Sequence, residues 1–425
     1  MGSALLMILA LAAGADGSQA ELKAEVRHWV LQLDAPQLSR RSEAEAKLLN
    51  LGPKILDLLP QYDEKSPATE AQRREAVGRI RDQLEHRAAE ESTAATTVTL
   101  KAANRPLSEI LAEITKQTGN KFKDVRAQMG QEADDPQLSV DFDKTPFWQA
   151  LDQTLDQAKL TVYPYAGNDE LGIMAREPGA LPRADRASYA GPLRVGATQL
   201  IAQRNLTATG PGSLRLDLQV AWEPRLRPIM LQLPLAGVKA VDDLGSPIAV
   251  ENPEGELEQS IDQAGSAIEF QLPLVDPPRS AKSIASIKGN LRALLPGSIE
   301  TFEFTGLKDA KKLEQHRAGV TVFVDEVRQD GDVWEVRMRV RFENAANALE
   351  SFRAWVYNNA AYLTGPKGKI PNGGSETTSQ EKNEIGIAYK FDLPDGPAGL
   401  TFVYKTPAVI TSVPLPFQFK NLPLP

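Results

Sequence analysis

The sequence predicts a multi-domain α+β protein, and three observations predict it. Apolar residues fall at helical spacing between 21 and 95, a strand–helix–strand unit recurs at an offset of 40 residues, and period-two alternation takes over from Gly191 onward. The expected order is an N-terminal helical segment, a β-α-β-β-α-β-β domain, and two tandem antiparallel β-sandwiches. A chain of 425 residues is too long for one core and divides into roughly three or four domains. Its hydrophobic fraction of 42% lets each of them bury a core.

The first residues read as a targeting segment. Leu5 to Ala13 is an apolar run too short to cross a bilayer, and Ser18-Gln19-Ala20 puts small residues ahead of a cleavage point. A signal peptide over 1–20, removed after Ala20, is therefore expected, with Ala13-Gly14-Ala15 as the alternative site and an uncleaved amphipathic helix as the competing reading. The mature chain is expected to be exported, periplasmic or extracellular. No later segment approaches 18 consecutive apolar residues, so no membrane span is expected.

Residues 21–95 follow as helices. Val26, Trp29, Val30 and Leu33 share one face, and Asp34-Ala35-Pro36 ends the run. A second helix is expected over about Ser39 to Leu51, closed by Gly52, and Pro53 opens a third that carries Ile55, Leu58 and Leu59. A fourth, from about Pro67, carries Ala76, Ile80 and Leu84. The stretch RRSEAEAKLLNLGPKILDLLPQ resembles one HEAT-like hairpin, and a small helical bundle is the equal alternative.

The repeat sets VTLKAANRPLSEILAEITKQTGNKFK, from Val98, against LSVDFDKTPFWQALDQTLDQAKLTVY, from Leu138. Pro106 aligns with Pro146, Leu107 with Phe147, Leu111 with Leu151 and Phe122 with Val162. Each copy reads as an alternating strand, a proline at a helix start, a three-turn helix and a second strand, and Glu170 to Ala175 adds a last strand. On these residues, 97–177 resembles the short N-terminal (STN) domain of secretins and TonB-dependent receptors. That resemblance implies a periplasmic protein-interaction module without catalytic residues. Neither a pore nor an outer-membrane barrel follows, so it carries no secretion or uptake function. The layout also looks like that of exported proteins of planctomycete-type bacteria, which implies no activity.

Two β-sandwiches of immunoglobulin-like type are expected at 189–307 and 315–425, joined by the polar stretch Lys308 to Arg317. A single larger two-sheet domain is the alternative. Leu214 to Trp222 and Val333 to Phe342 alternate cleanly, as a strand with one polar face does. Phe302 and Phe304 match Phe417 and Phe419, so each sandwich is expected to close on its own F-x-F strand.

Chemistry-bearing residues are few. The net charge of −8 has no basic block, which argues against nucleic acid as a partner. With no cysteine, disulfides, thiolate metal sites and a cysteine nucleophile are excluded. The three histidines, His28, His86 and His316, lack metal-ligand spacing. Asp134, Asp135, Asp141 and Asp143 crowd together without a calcium-loop pattern and read as a solvated loop and strand. Gly365 to Lys369 reads as a hairpin turn, and Asn372 to Asn383 as a polar loop. Trp222 and Trp334 read as core; Trp355, Tyr357 and Tyr362 are the candidate exposed contact. No catalytic, cofactor or metal residue is identified. The expectation is a non-enzymatic interaction or scaffolding protein, partnered by another envelope protein or a cell-wall component. A carbohydrate-binding module and a hydrolase with an unrecognised carboxylate pair are the alternatives.

Overall fold

The computed structural model describes residues 20–60, 71–167, 169–204, 206–207, 212–261, 265–331, 333–343 and 354–425; the expected signal peptide lies outside them up to residue 19. The fold is mostly β, and among the described residues its α-helices lie in the first 160, with several antiparallel sheets after them. It divides into two compact units, Met1–Ser92, Gly297–Ala345 and Ala360–Val409 forming one, and Thr93–Pro296, Ala346–Asn359 and Ile410–Pro425 the other.

The first unit begins with helices. Helix α1 (20–32), α2 (Leu38–Leu51) and α3 (Ala71–Thr93) pack Val26, Val30 and Leu33 against Leu48, Ile55, Ile80 and Leu84. Gly52 ends α2 at φ 77°, a conformation that costs a side chain energy and glycine little. The third expected helix is a short 3-10 turn, Pro53–Leu58, and the expected fourth-helix start near Pro67 lies outside the described residues. The β part of this unit contains a five-stranded antiparallel sheet. Its order is Lys311–Arg317, Val320–Asp330, Val333–Phe342, Glu384–Phe391 and Gly374–Gln380. Val336, Met338, Val340 and Phe342 point into its core, while Arg337, Arg339 and Arg341 face outward, the period-two alternation seen in the sequence. Two expectations fail here. Lys308 to Arg317 is an edge strand and its lead-in turn, because Lys311 and then Leu313 to Arg317 pair residue by residue with Glu326 and Val324 to Val320. The polar loop Asn372 to Asn383 is mostly the opposite edge strand, exposed throughout.

The second unit begins with the duplicated module. Strand β1 (Thr97–Pro106), α4 (Leu107–Thr118), β2 (Lys121–Asp124), β3 (Gln137–Pro146), α5 (Phe147–Gln157), β4 (Leu160–Tyr163) and β5 (Glu170–Ala175) follow in order. β1 pairs antiparallel with β3, and the other three form a sheet in the order β2-β5-β4. The duplication extends to detail. β1 and β3 share one burial pattern, and Asn104 and Lys144 both take positive φ, 52° and 47°. The Leu107 N–H donates to the Pro136 carbonyl at 3.0 Å, and the Phe147 N–H to Thr96 at 2.9 Å, matching bonds 40 residues apart.

The module does not stand alone. Its core includes Ala221 and Ala267 of the following β region, and the Trp148 indole N–H donates to the Pro192 carbonyl at 3.1 Å. Buried Asp152 accepts from Arg183, Arg194 and the Tyr189 hydroxyl. That β region places Ala267–Val275, Ser213–Trp222, Leu193–Gln203 and Ala187–Ala190 in one sheet. Leu218, Phe270 and Leu272 meet Leu231, Leu233, Ile287 and Leu291 across its core. The expected F-x-F symmetry fails. Leu415, Phe417 and Phe419 lie in this core, not in a core formed with 315–409, and the Phe417 ring sits against Gly289, where a side chain would clash.

Candidate acidic cleft

Of the three aromatics that the sequence offers as an exposed contact, one is buried. Trp355 is 4% exposed within the turn Ala354–Asn358, Tyr357 is exposed, and Tyr362 is partly covered, with the Lys369 ammonium 4.0 Å from its ring centre. The alternating strand ends near Phe342, and a tryptophan after it is as readily an anchor as an exposed platform, because its area favours burial. Of the five tryptophans, Trp148 and Trp222 are buried as well, and Trp29 and Trp334 are partly covered. Two of the four aspartates singled out in the sequence have partners within the fold. Asp135 accepts from the Ser108 N–H and hydroxyl at 2.9 and 2.6 Å at the start of α4, which holds its carboxyl below the usual range. Asp141 pairs with Lys101 at 2.9 Å on the exposed ribbon face. Gly365 to Lys369 is the expected hairpin turn.

A different set of residues forms a cleft of about 620 Å³ in the first unit. One wall is a stripe of α3, Arg74, Gly78, Arg81, Asp82 and Glu85, at the spacing that puts side chains on one helix face. The other wall is Glu300 with Glu314 to Ala318. The far end of α3 is seated directly on the strand Ser283–Phe304, since a methyl group on Gly297 would lie 2.3 Å from the Ala89 Cβ. Glycine is required there for close approach, and this contact sets how the helix meets the strand.

The charges in the cleft do not cancel locally. The Arg81 guanidinium is committed to the Leu56 and Leu59 carbonyls at 3.3 and 3.1 Å, where it satisfies the last carbonyls of the 3-10 turn. Glu300 accepts from the Ser298 hydroxyl at 2.8 Å, and His316 lies 3.8 Å from Glu343. Glu85 is partly buried, and burial, with Asp82 and Glu300 adding to it against Arg81, pushes its carboxyl up to about 7. Asp82, at the exposed rim, is raised by burial and then by Glu343, against His316, His86 and Arg81. A carboxyl near 7 can hold or release a proton at neutral pH, which is what general acid–base chemistry or a proton-linked contact requires. Among the described residues, no group of three His, Asp or Glu side chains is placed to hold a metal.

The sequence did not point to this cleft. Asp82 and Glu85 look like any charged helix face, and Glu300, His316 and Glu343 lie more than 200 residues further along. Compared with known proteins, the chain matches no family model, and no curated protein is significantly similar to it.

Proposed function

We propose that this chain is a non-catalytic, extracytoplasmic interaction or scaffolding protein of a bacterial envelope, built around an STN-like module. The observation that carries the reading is the ribbon β1–β3. One of its faces is buried under two helices, while Thr97, Thr99, Lys101, Gln137, Ser139 and Asp141 leave the other in solvent. The STN-like reading rests on the element order β-α-β-β-α-β-β, and the order of elements over 97–175 supports it. The shared core of the module and the next β region supports a rigid platform, which lowers the ordering cost of binding. The partner is another envelope protein or a cell-wall component. The test is capture from an envelope extract by the full chain and by Lys101→Glu with Ser139→Glu. The double variant should melt as the parent does and lose the captured partner; identical capture would overturn the reading.

A hydrolase is the second reading, and the raised Glu85 beside Asp82 and Glu300 is the observation that favours it. Turnover of peptidoglycan or polysaccharide that disappears in Glu85→Gln would establish it. Parent protein inert on both substrates would sink it.

A further inference from the structure

Carboxyl groups converge on the cleft of the first unit from several separate elements. Asp82 and Glu85 come from α3, Glu300 from the strand Ser283–Phe304, Glu314 from Lys311–Arg317, and Glu343 from just after Val333–Phe342. The facing cationic or titratable groups are Arg74, Arg81 and His86 on α3, and His316 and Arg317 on the edge strand. Arg81 is held by backbone carbonyls. The helix bearing two of the carboxyls is seated through a small contact, Ala89 on Gly297.

We propose that the seat of α3 on the β part of this unit is a proton-operated latch, closed at mildly acid pH and loosened above neutrality. Packing brings like charges together, and closing the helix onto the strand removes their water. Protonation relieves both costs. Glu85 is the principal proton carrier, and its raised carboxyl places the change in the physiological range. The sign follows from linkage. A carboxyl raised in the folded state carries no penalty below its ordinary range, gains one as pH rises, and carries it fully above about 7. The latch acts in addition to partner binding by the ribbon, and it gives an envelope protein a response to external acidity.

Hydrogen exchange on the full chain, corrected for the intrinsic pH dependence of exchange, tests this directly. Protection of the α3 amides and of Lys311–Arg317 should fall about tenfold between pH 5.5 and 8.5, while that of α5 stays constant. Glu85→Gln with Asp82→Asn should keep the acid-level protection at pH 8.5. Glu300→Gln, a milder change, should retain part of it. Gly297→Ala should lower protection of α3 at both pH values, since it disturbs the seat without touching a proton site. Unchanged protection in the parent, or a full pH response in the double variant, would overturn the proposal.

Discussion

Asp152 shows how one side chain decides the behaviour of its surroundings. It is fully buried, and burial alone would raise its carboxyl, but the Arg183 and Arg194 guanidiniums outweigh that and hold it below the ordinary range. Removing one member of such a set leaves buried charge unpaired, which costs more than the intact set contributes. Asp152→Ala should therefore lose about 3–5 kcal/mol in urea unfolding at pH 7. The depressed carboxyl supplies its stability above the ordinary carboxylate pKa of about 3.9 and loses it as pH falls through the folded value. The gap between parent and variant should thus narrow below about pH 4; an equal gap at pH 7 and pH 3 would refute this account. Nothing in the string LDQTLDQ marks Asp152 as buried, because the arginines that justify its burial come 31 and 42 residues later.

At the scale of elements, α4 and α5 use the duplicated pattern unequally. Leu151 has no exposed surface, but its counterpart Leu111 is only partly buried, and Ile110 and Ile114 carry the α4 core instead. A rotation of the apolar stripe by about one position accounts for the difference, since neighbouring positions on a helix lie about 100° apart. Leu151→Ala should cost about 2–5 kcal/mol in chemical denaturation, and Leu111→Ala less than half as much. Equal losses would contradict the observed packing. The repeat was legible in sequence because both copies need the same strand, proline start and helix. Which leucine is central was not, because it depends on how each helix lies against the ribbon.

For the whole molecule, the closing strand is where chain order and space part company. Residues 410–425 belong to the same compact unit as 93–296, and Leu415, Phe417 and Phe419 fill the core of that β region. A chain ending at Val409 should lose protection in Ser213–Trp222 and Ala267–Val275 before it loses any in Val333–Phe342. Hydrogen exchange on the truncated chain reads this directly, and the reverse order would contradict it.

The amino-acid string by itself determined the local elements. The gathering of helices ahead of strands, the duplication at 40 residues and the two alternating strands at Leu214 and Val333 are all legible in it. These depend on neighbours within a few positions, whose spacing sets which face is apolar. Tertiary structure alone decided three things. It buried Trp355, exchanged the expected destination of Phe417 and Phe419, and brought Asp82 and Glu85 to Glu300 and Glu343. The reason is the same in each case. Burial and carboxyl pKa are set by groups far along the chain, and periodicity says which face is apolar without saying what will cover it.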